Sequence, residues 1–171
     1  METPTIFTTY IQTPLGALEI SATSDFLTSI LFVDTQKRPS PQNQATQELS
    51  PVMIACIDQL NEYFDGTRKV FDLVFVHEGT DFQKKVWAEL LNIPYGKTIS
   101  YLDLSKRIGN EKAIRAVGTT NGNNQFTIVV PCHRVIGSNG SLVGYGGDLW
   151  RKKWLLDHEA KILGNYQMSL F

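Results

Sequence analysis

The first 80 residues alternate short apolar runs with turn signals. Residues 5–12 and 18–22 have the composition of strands and are separated by a turn at 13–16 that contains proline and glycine. Residues 29–33 continue this pattern, and residues 70–76, with the sequence VFDLVFV, have the composition of one more strand. These runs predict a small sheet whose strands are linked by short turns.

A helix is predicted between these runs. Apolar side chains recur there at helical spacing, at Leu49, Met53, Cys56, Leu60, Tyr63 and Phe64. Asp65-Gly66 ends the pattern, because glycine readily adopts the left-handed conformation that closes helices. The polar segment 34–48 before the helix predicts a loop. Cys56 lies on the apolar face, so we expect it to be a buried core cysteine.

The second half of the chain opens on a helix-start signal. Thr80 and Gln83 have the spacing of a capping box, in which each side chain accepts a hydrogen bond from the backbone amide of the other residue. We therefore predict a helix from residue 81 to about Asn92.

Two further short helices are predicted around a glycine. Ser100 repeats the capping pattern and starts a helix that Gly109 can close. Asn110 is then expected to cap a helix that includes residues 112–118. Two short helices joined in this way are typical of a helix-turn-helix. A last helix is predicted over residues 150–158.

Length and composition set the architecture. With 171 residues and 42% hydrophobic side chains, the chain can bury the core of one domain or of two small ones. The pattern changes from strand-rich to helix-rich at a linker near residue 78. We therefore predict an α+β fold, with a small N-terminal α/β domain over residues 1–78 and a mainly helical domain over residues 79–171.

The net charge of −1 conceals an uneven distribution. Residues 1–80 carry 4 Lys and Arg against 10 Asp and Glu, whereas residues 81–171 carry 12 against 7. A basic half is typical of a domain that meets a polyanion. On charge alone, a chance distribution is about as good an explanation.

Composition also excludes several classes of protein. The N-terminus has Glu2, prolines and threonines where a secretory signal needs basic and then apolar residues, and no long uncharged apolar run follows. We therefore expect a cytoplasmic protein without membrane segments. The only cysteines, Cys56 and Cys132, do not make a disulfide scaffold, and three scattered histidines lack zinc-ligand spacing. We expect neither a metal site nor a cofactor.

The sharpest chemical signal is the segment 128–137, with the sequence IVVPCHRVIG. Pro131 has a fixed φ and favours an extended Val130, so the chain leaves the core in a set direction just before the thiol. We therefore expect Cys132 at the wall of a pocket. A thiol attacks as the thiolate, and the adjacent His133 is a base that favours its ionisation. Taken alone, however, the pair favours a buried, inert cysteine.

A wider set of motifs resembles the O6-alkylguanine-DNA alkyltransferases, in which Pro-Cys-His-Arg-Val, residues 131–135 of this chain, is the active-site motif. The family's order and spacing also hold at Tyr101, Arg115-Ala116-Val117-Gly118, Asn124, Gly144-Tyr145-Gly146-Gly147 and Trp154-Leu155-Leu156-Asp157-His158-Glu159. The resemblance is strong over residues 81–160 and looser in the N-terminal half. It implies a ribonuclease H-like first domain and a winged-helix-like DNA-binding second domain that contains the helix-turn-helix.

The resemblance implies a DNA repair reaction in which an alkyl group moves irreversibly from O6-alkylguanine, with O4-alkylthymine as a second substrate, to the protein's own Cys132. His133 would be the base that acts through a water, and Glu159 the carboxylate that orients it. Asn124 would brace the active-site turn. Simpler alternatives stay open: a locally satisfied polar residue for His133, a solvated residue at a helix end for Glu159, and a turn residue for Asn124.

The resemblance also implies residues that read the substrate. Tyr101 would donate its hydroxyl to the guanine ring, whereas the alternative is an aromatic residue at a helix start that packs on the core. Backbone groups of Cys132, Val135 and Gly146 would read the guanine edge, and Tyr145 is a further candidate for substrate binding.

An atom inside the duplex cannot be reached by a thiolate, so the nucleotide must be flipped out. The resemblance implies double-stranded DNA as the partner of a monomeric protein, with Arg115 as the finger that fills the vacated space. Ala116, Asn110 and Ser138 would contact the DNA as well. The simpler alternative for Arg115 is an exposed arginine that contacts phosphate. The basic run 151–153 is interpreted as a solvated face without a role in the site.

The chain departs from the family pattern at Gln125, at Thr127 and at Gly146, which replaces a small side chain present in some relatives, and other functions stay open on the sequence. Gln125 and Thr127 stand where many relatives have prolines, so the resemblance does not carry over pocket rigidity or tolerance of bulky alkyl groups. The competing functions are a non-catalytic protein that binds alkylated bases, a cysteine hydrolase that uses Cys132 and His133, and a helix-turn-helix regulator without chemistry. The presence of the acceptor cysteine argues against the first.

Overall fold

The structure of the protein is a computed structural model that describes residues 3–35, 48–143 and 148–164. The chain divides into two compact units, Met1–His77 and Glu78–Phe171. Most of the loop predicted over residues 34–48 lies outside the described residues, as do the candidate site residues Tyr145 and Gly146.

An antiparallel sheet and one helix form the first unit. The strands β1 (Phe7–Thr13), β2 (Gly16–Ala22) and β3 (Leu27–Phe32) pair in chain order, as the first three apolar runs predict. Helix α1 (Pro51–Asp65) has proline in its first turn, where an amide is not needed, and ends at Gly66 with φ of 84°. The buried side chains of these elements include Leu18, Ile20, Leu27, Ile30, Met53, Cys56, Leu60 and Tyr63. The prediction that Cys56 is a core residue is confirmed.

The prediction of a strand over residues 70–76 is wrong. Among the described residues of this segment, Phe75 alone pairs with the sheet, through a parallel bridge to Leu27. The side chain of Gln59 occupies both backbone groups of Asp72, accepting from its amide at 2.9 Å and donating to its carbonyl at 3.0 Å. A side chain of α1 thus replaces the strand ladder that the apolar composition predicts.

The second unit is mainly helical. It contains α2 (Asp81–Leu90), β4 (Ile99–Ser100), α3 (Tyr101–Arg107), α4 (Ile114–Gly122), β5 (Val135–Ile136) and α5 (Leu149–Ile162). The predicted capping box at the start of α2 is confirmed: Gln83 N donates to Thr80 Oγ1 at 3.1 Å, and Thr80 N donates to Gln83 Oε1 at 2.9 Å.

Helices α3 and α4 form the predicted helix pair, with one correction at the junction. Ser100 caps α3 through its side chain, and Gly109 follows the helix with φ of 83°. Asn110 stands at the next cap position, but its side chain makes no capping bond. Its carbonyl instead accepts from Ala113 N at 3.1 Å, which closes a 3-10 turn, Glu111–Ala113, before α4 begins.

Two short strands bring the motif segment 131–135 next to the helix pair. Strands β4 and β5 are parallel, with Ile99 opposite Val135, so the start of α3 lies beside the end of a 3-10 turn formed by Cys132–Arg134. Helix α5 is longer than predicted and places Glu159 inside its last turn rather than beyond its end. Within the described ranges, no helix is long and apolar enough to cross a membrane.

Candidate active site

The segment before Cys132 is held in an unusual backbone conformation. Ile128 has φ of 73°, a left-handed value that is rare for a β-branched side chain, while Val129 N donates to Thr127 O at 2.9 Å across it. A second tight turn follows, in which Cys132 N donates to Val130 O at 2.8 Å. Residues in such conformations cost about 1–3 kcal/mol each and persist only where their surroundings hold them.

Asn124 supplies much of that support. Its Nδ2 group lies 3.1 Å from Phe126 O, 2.8 Å from Val130 O and 3.3 Å from Cys132 Sγ, and its Oδ1 accepts from Phe126 N at 3.0 Å. The side chain is buried. Asn124 is therefore both a turn residue and a brace, and it also donates a hydrogen bond to the thiol.

The Glu159 carboxylate is the centre of a buried polar cluster, and it accepts from four donors. Oε2 lies 2.6 Å from His133 Nε2 and 3.1 Å from Arg134 Nη2, while Oε1 lies 2.8 Å from Arg134 Nε and 3.0 Å from the amide of Gly96. Arg134 also donates to Ile93 O at 2.8 Å. The side chains of Glu159 and His133 are fully buried.

The cluster settles the protonation of His133. Burial alone raises the pKa of Glu159, but its contacts with His133 and Arg134 outweigh burial and hold that pKa well below its usual range. Burial lowers the pKa of His133, and Glu159 offsets this only in part. Because a carboxylate can only accept, Nε2 of the neutral imidazole carries the proton. Nδ1 is then the basic atom, and it is buried without a hydrogen-bond partner among the described residues.

Cys132 is 4% exposed, and its surroundings favour the protonated thiol. Burial raises its pKa, while the hydrogen bond from Asn124, the charge of Lys152 and nearby backbone amides lower it by a smaller amount. A base and a nearby cation are therefore both needed for the thiolate to form at neutral pH. No direct hydrogen bond joins the Cys132 thiol to the His133 ring in the described part of the chain.

Lys152 is the cation, and the prediction of a solvated basic run is wrong for two of its three residues. Arg151 and Lys152 are buried, whereas Lys153 is exposed and pairs with Asp157 at 2.7 Å. Burial lowers the pKa of Lys152 to about 8, so most of the amine is still charged at neutral pH. Lys152 and Glu159 are two helical turns apart, and this spacing predicts that both face the same side of α5.

Tyr101 lies against Lys152 at the start of α3. Its hydroxyl donates to Val143 O at 2.8 Å, and Lys152 Nζ donates to the same carbonyl at 2.8 Å and lies 3.4 Å from the Tyr101 hydroxyl. Burial raises the pKa of Tyr101 to about 12, so it is a hydrogen-bond donor at neutral pH. The structure thus brings Tyr101 together with Lys152, the residue whose charge acts on Cys132.

The predicted DNA-contacting residues are separate from the buried cluster. Asn110, Arg115, Ala116 and Ser138 are all exposed. Val135, in contrast, is fully buried. These four positions are therefore accessible to a partner, whereas the Glu159 cluster is not.

Gln125, one of the departures from the family pattern, has a defined role in the structure. Its Nε2 donates to Glu78 O at 2.9 Å, and its Oε1 accepts from Glu78 N at 3.2 Å. This two-bond clamp restrains the chain next to Asn124, so the loss of proline is offset by hydrogen bonding. Thr127 is buried, and its carbonyl accepts the tight-turn bond described above.

Both units match families of known proteins. Residues 6–76 match the ribonuclease-like domain of 6-O-methylguanine DNA methyltransferase, and residues 81–161 match its DNA binding domain. These matches confirm the predicted α+β fold class, with a ribonuclease-like unit before a DNA-binding one.

Individual relatives are similar over nearly their whole length. The chain is 42% identical to the methylated-DNA–protein-cysteine methyltransferase of Mycobacterium tuberculosis, over 87% of this chain and 89% of that protein. It is 44% identical to the constitutive methylated-DNA–protein-cysteine methyltransferase of Bacillus subtilis, over 81% and 86%. A crystal structure of M. tuberculosis O6-methylguanine methyltransferase has a TM-score of 0.84 at 40% identity, over 92% and 94%, and an M. tuberculosis structure in complex with DNA has a TM-score of 0.82 at 41% identity, over 91% and 93%.

The buried cluster gives a stability prediction. Replacing Glu159 by Gln should lower the free energy of unfolding by about 3–5 kcal/mol at neutral pH, because the buried Arg134 guanidinium loses its counterion. Urea unfolding followed by circular dichroism measures the loss. Glu89→Gln is the matched control, since Glu89 pairs with Arg107 at 3.9 Å near the surface, where an ion pair contributes less than about 1 kcal/mol. Equal losses in the two variants would contradict this account.

The effect of Glu159→Gln should also depend on pH. Because the folded pKa of Glu159 lies below its unfolded value of about 4.3, its stabilising contribution is complete above that value and is lost as the pH falls towards the folded pKa. The stability difference between wild type and variant should be constant from about pH 7 to about pH 5 and shrink below about pH 4.3. An undiminished difference in acid would show that the carboxylate charge is not its source.

A second prediction concerns the charge on Lys152. In a Cys56→Ala background, Lys152→Met should raise the pKa of Cys132 by about one unit or more and slow its reaction with iodoacetamide at neutral pH about tenfold. Thiolate absorbance and intact mass follow the two effects. Lys153→Met, which removes an exposed charge on the same helix, should change neither. A pKa that stays unchanged in Lys152→Met would separate this amine from the chemistry of the thiol.

Proposed function

The chain belongs to the 6-O-methylguanine DNA methyltransferase family, and on that premise we propose that Cys132 is the residue to which it transfers the alkyl group. Its activity is DNA repair by transfer of a methyl or other alkyl group from DNA to a cysteine of the protein itself. One observation carries the assignment of Cys132: its thiol is braced by Asn124 and lies within the electrostatic reach of the buried Lys152. Cys56, the other cysteine, is buried in the core of the first unit.

The first step is removal of the thiol proton. His133 Nδ1 accepts this proton, through a bridging water, because Nε2 is committed to Glu159. The imidazolium that forms is stabilised by the Glu159 carboxylate, which is already ionised and oriented. The thiolate in turn is stabilised by the Lys152 ammonium and the Asn124 amide. Each charge that the proton transfer creates in the buried site, the imidazolium and the thiolate, thus has a neighbouring group of opposite charge.

The second step is a displacement at the alkyl carbon. A lone pair of Cys132 Sγ forms the new sulfur–carbon bond while the bond between that carbon and guanine O6 breaks, and its electron pair passes to the base. Negative charge therefore builds on the leaving guanine, where a placed donor is worth a few kcal/mol in the transition state. The Tyr101 hydroxyl is the proposed donor, once it exchanges its hydrogen bond to Val143 O for one to the base. Overall, the thiol proton ends on the restored guanine.

The product explains why one molecule acts once. Transfer leaves a thioether on Cys132, which has no good leaving group, unlike the thioester of a cysteine hydrolase. Neither His133 nor Lys152 can make water displace an alkyl group from such a sulfur. A single turnover per molecule is therefore the expected outcome. A cysteine hydrolase, which is the competing hypothesis for an enzyme, would have to release its product and regenerate the thiol.

DNA is the partner of the protein, and alkylated bases in duplex DNA are the proposed targets. The exposed residues of the helix pair, Asn110, Arg115 and Ala116, are proposed to contact the DNA together with Ser138. Arg115 would enter the duplex and occupy the space of the flipped nucleotide. Its exposure on α4, in contrast to the burial of Glu159 and His133, supports this division between binding and chemistry.

We also propose that the protein works as a monomer in the cytoplasm. All described members of the site, from Tyr101 to Glu159, belong to the second unit of one chain, so no second copy is required to complete it. Both cysteines are free thiols, and transfer to Cys132 needs a reducing compartment.

The assignment of Cys132 has a direct test. Cys132→Ala should abolish transfer from a duplex that contains O6-methylguanine while leaving affinity for that duplex nearly unchanged, because the thiol contributes to chemistry and not to DNA contact. Cys56→Ala should retain transfer, and it controls for the loss of a buried sulfur. Methylated protein is detected by intact mass, and DNA affinity by fluorescence anisotropy. Residual transfer to Cys56 in the Cys132→Ala protein would overturn the assignment.

The role of Arg115 has a separate test. Arg115→Ala should slow transfer from duplex DNA much more than transfer from the free alkylated base, since only the duplex requires nucleotide flipping. Lys112→Ala is the matched control, because Lys112 is an exposed cation on the same helix pair. Its loss should weaken duplex binding without changing the rate at saturating DNA. An equal loss by Arg115→Ala on duplex and free base would place its role elsewhere.

A further inference from the structure

Asn121, in the last turn of α4, is a buried polar residue that the reaction described above does not use. Its side chain is 1% exposed, and its Nδ2 donates to the carbonyl of Cys132 at 3.2 Å. Asn121 also acts on Tyr101, because its amide lowers the pKa of that hydroxyl and so offsets part of the effect of burial. Asn121 therefore lies between the backbone of the nucleophile and the residue proposed to meet the guanine ring.

The orientation of the Asn121 amide follows from its partners. A carbonyl can only accept, so the atom that faces Cys132 O must be Nδ2, and Oδ1 must be on the other side of the amide. Oδ1 is buried and has no hydrogen-bond partner among the described residues. Leaving a buried acceptor unpaired is unfavourable, and such atoms are rare in folded proteins. An unpaired acceptor beside a nucleophile is explained if the substrate supplies the donor.

The alkylated bases differ in the donors they can offer. O6-alkylguanine carries no proton on N1, so the exocyclic 2-amino group is the donor on its pairing edge. O4-alkylthymine carries no proton on N3 and has no amino group, so it offers none. A buried acceptor in the base pocket would therefore be satisfied by the first base and left unpaired by the second.

We propose that Asn121 adds to base specificity beside the backbone groups that the resemblance implies: its Oδ1 accepts a hydrogen bond from the 2-amino group of the flipped O6-alkylguanine, and its Nδ2 holds the Cys132 carbonyl in place. This inference rests on the proposed function, because it needs a base beside Cys132. The thiol itself is 4% exposed, so the pocket must open before any alkyl carbon can reach Sγ. The same opening gives access to Asn121, its hydrogen-bonded neighbour.

Deleting one amino group from the substrate tests the contact. Wild type should react about tenfold or more faster with duplex DNA that contains O6-methylguanine than with O6-methylhypoxanthine, which lacks the 2-amino group. In Asn121→Leu, which has similar volume and no acceptor, this ratio should fall towards one. The preference for O6-methylguanine over O4-methylthymine should narrow in parallel. Single-turnover rates at saturating DNA give all these ratios.

Two further variants keep the test decisive. Thr120→Val changes the neighbouring buried residue of α4 and should leave the ratio at its wild-type value. Asn121→Ser, a smaller polar replacement, is used if the leucine variant fails to fold, and it should reduce the ratio as well. A loss of overall rate is expected in both Asn121 variants, since Cys132 O loses a donor, but only the ratio between substrates reports on the 2-amino group.

The outcomes separate this inference from the proposed function. Transfer from O6-methylguanine by wild type with no discrimination against O6-methylhypoxanthine would overturn the role of Asn121 and leave the function intact. A ratio that persists in the Asn121 variants would do the same and would mark Asn121 as a structural brace. Failure of wild type to transfer any methyl group would instead refute the proposed function.

Discussion

The site depends on one buried carboxylate. Removing Glu159 from water is unfavourable by several kcal/mol, and only donors on every side can compensate for this. His133, both edges of the Arg134 guanidinium and the amide of Gly96 supply them. These donors come from the 3-10 turn and from the loop after α2, while the acceptor comes from α5. Satisfying one charge therefore fixes three parts of the second unit against each other and sets the imidazole with Nε2 protonated.

The surroundings of Cys132 favour a neutral thiol at rest and also contain the groups that stabilise the thiolate during the reaction. Burial favours the neutral thiol of Cys132, so the protein does not hold an exposed, permanently ionised sulfur. Asn124 and Lys152 already lower the pKa of the thiol in this arrangement, so these two groups need not be recruited once the pocket opens to a substrate. The strained backbone at Ile128 is held by the same Asn124 that contacts the sulfur. Rigidity of this turn and reactivity of the thiol thus have a common source.

Local signals in the sequence predict local structure well, and they fail where a side chain from another part of the chain determines the conformation or the burial. The capping box at Thr80 and the apolar face that contains Cys56 each depend on residues within a turn or two. The strand predicted over residues 70–76 fails because Gln59, on another element, takes the backbone of Asp72. The prediction of a solvated basic run is wrong at Lys152 because a basic triplet is usually solvated, whereas the amine of Lys152 contacts Tyr101 and Val143, which both lie outside α5. The family motif identifies Cys132, His133 and Glu159 as candidate site residues. It does not predict the hydrogen bond from the amide of Gly96 or the orientation of the Asn121 side chain.

The central claim is that this site is built for one irreversible transfer to one sulfur. The most direct measurement incubates the wild-type protein with an excess of duplex DNA that contains O6-methylguanine and follows both partners, the DNA by repaired guanine and the protein by intact mass and peptide mapping. The account predicts that repair stops at one guanine per protein molecule and that each molecule gains one methyl group, located on Cys132. Continued repair beyond that ratio, or a stoichiometric methyl group on any other residue, would contradict it.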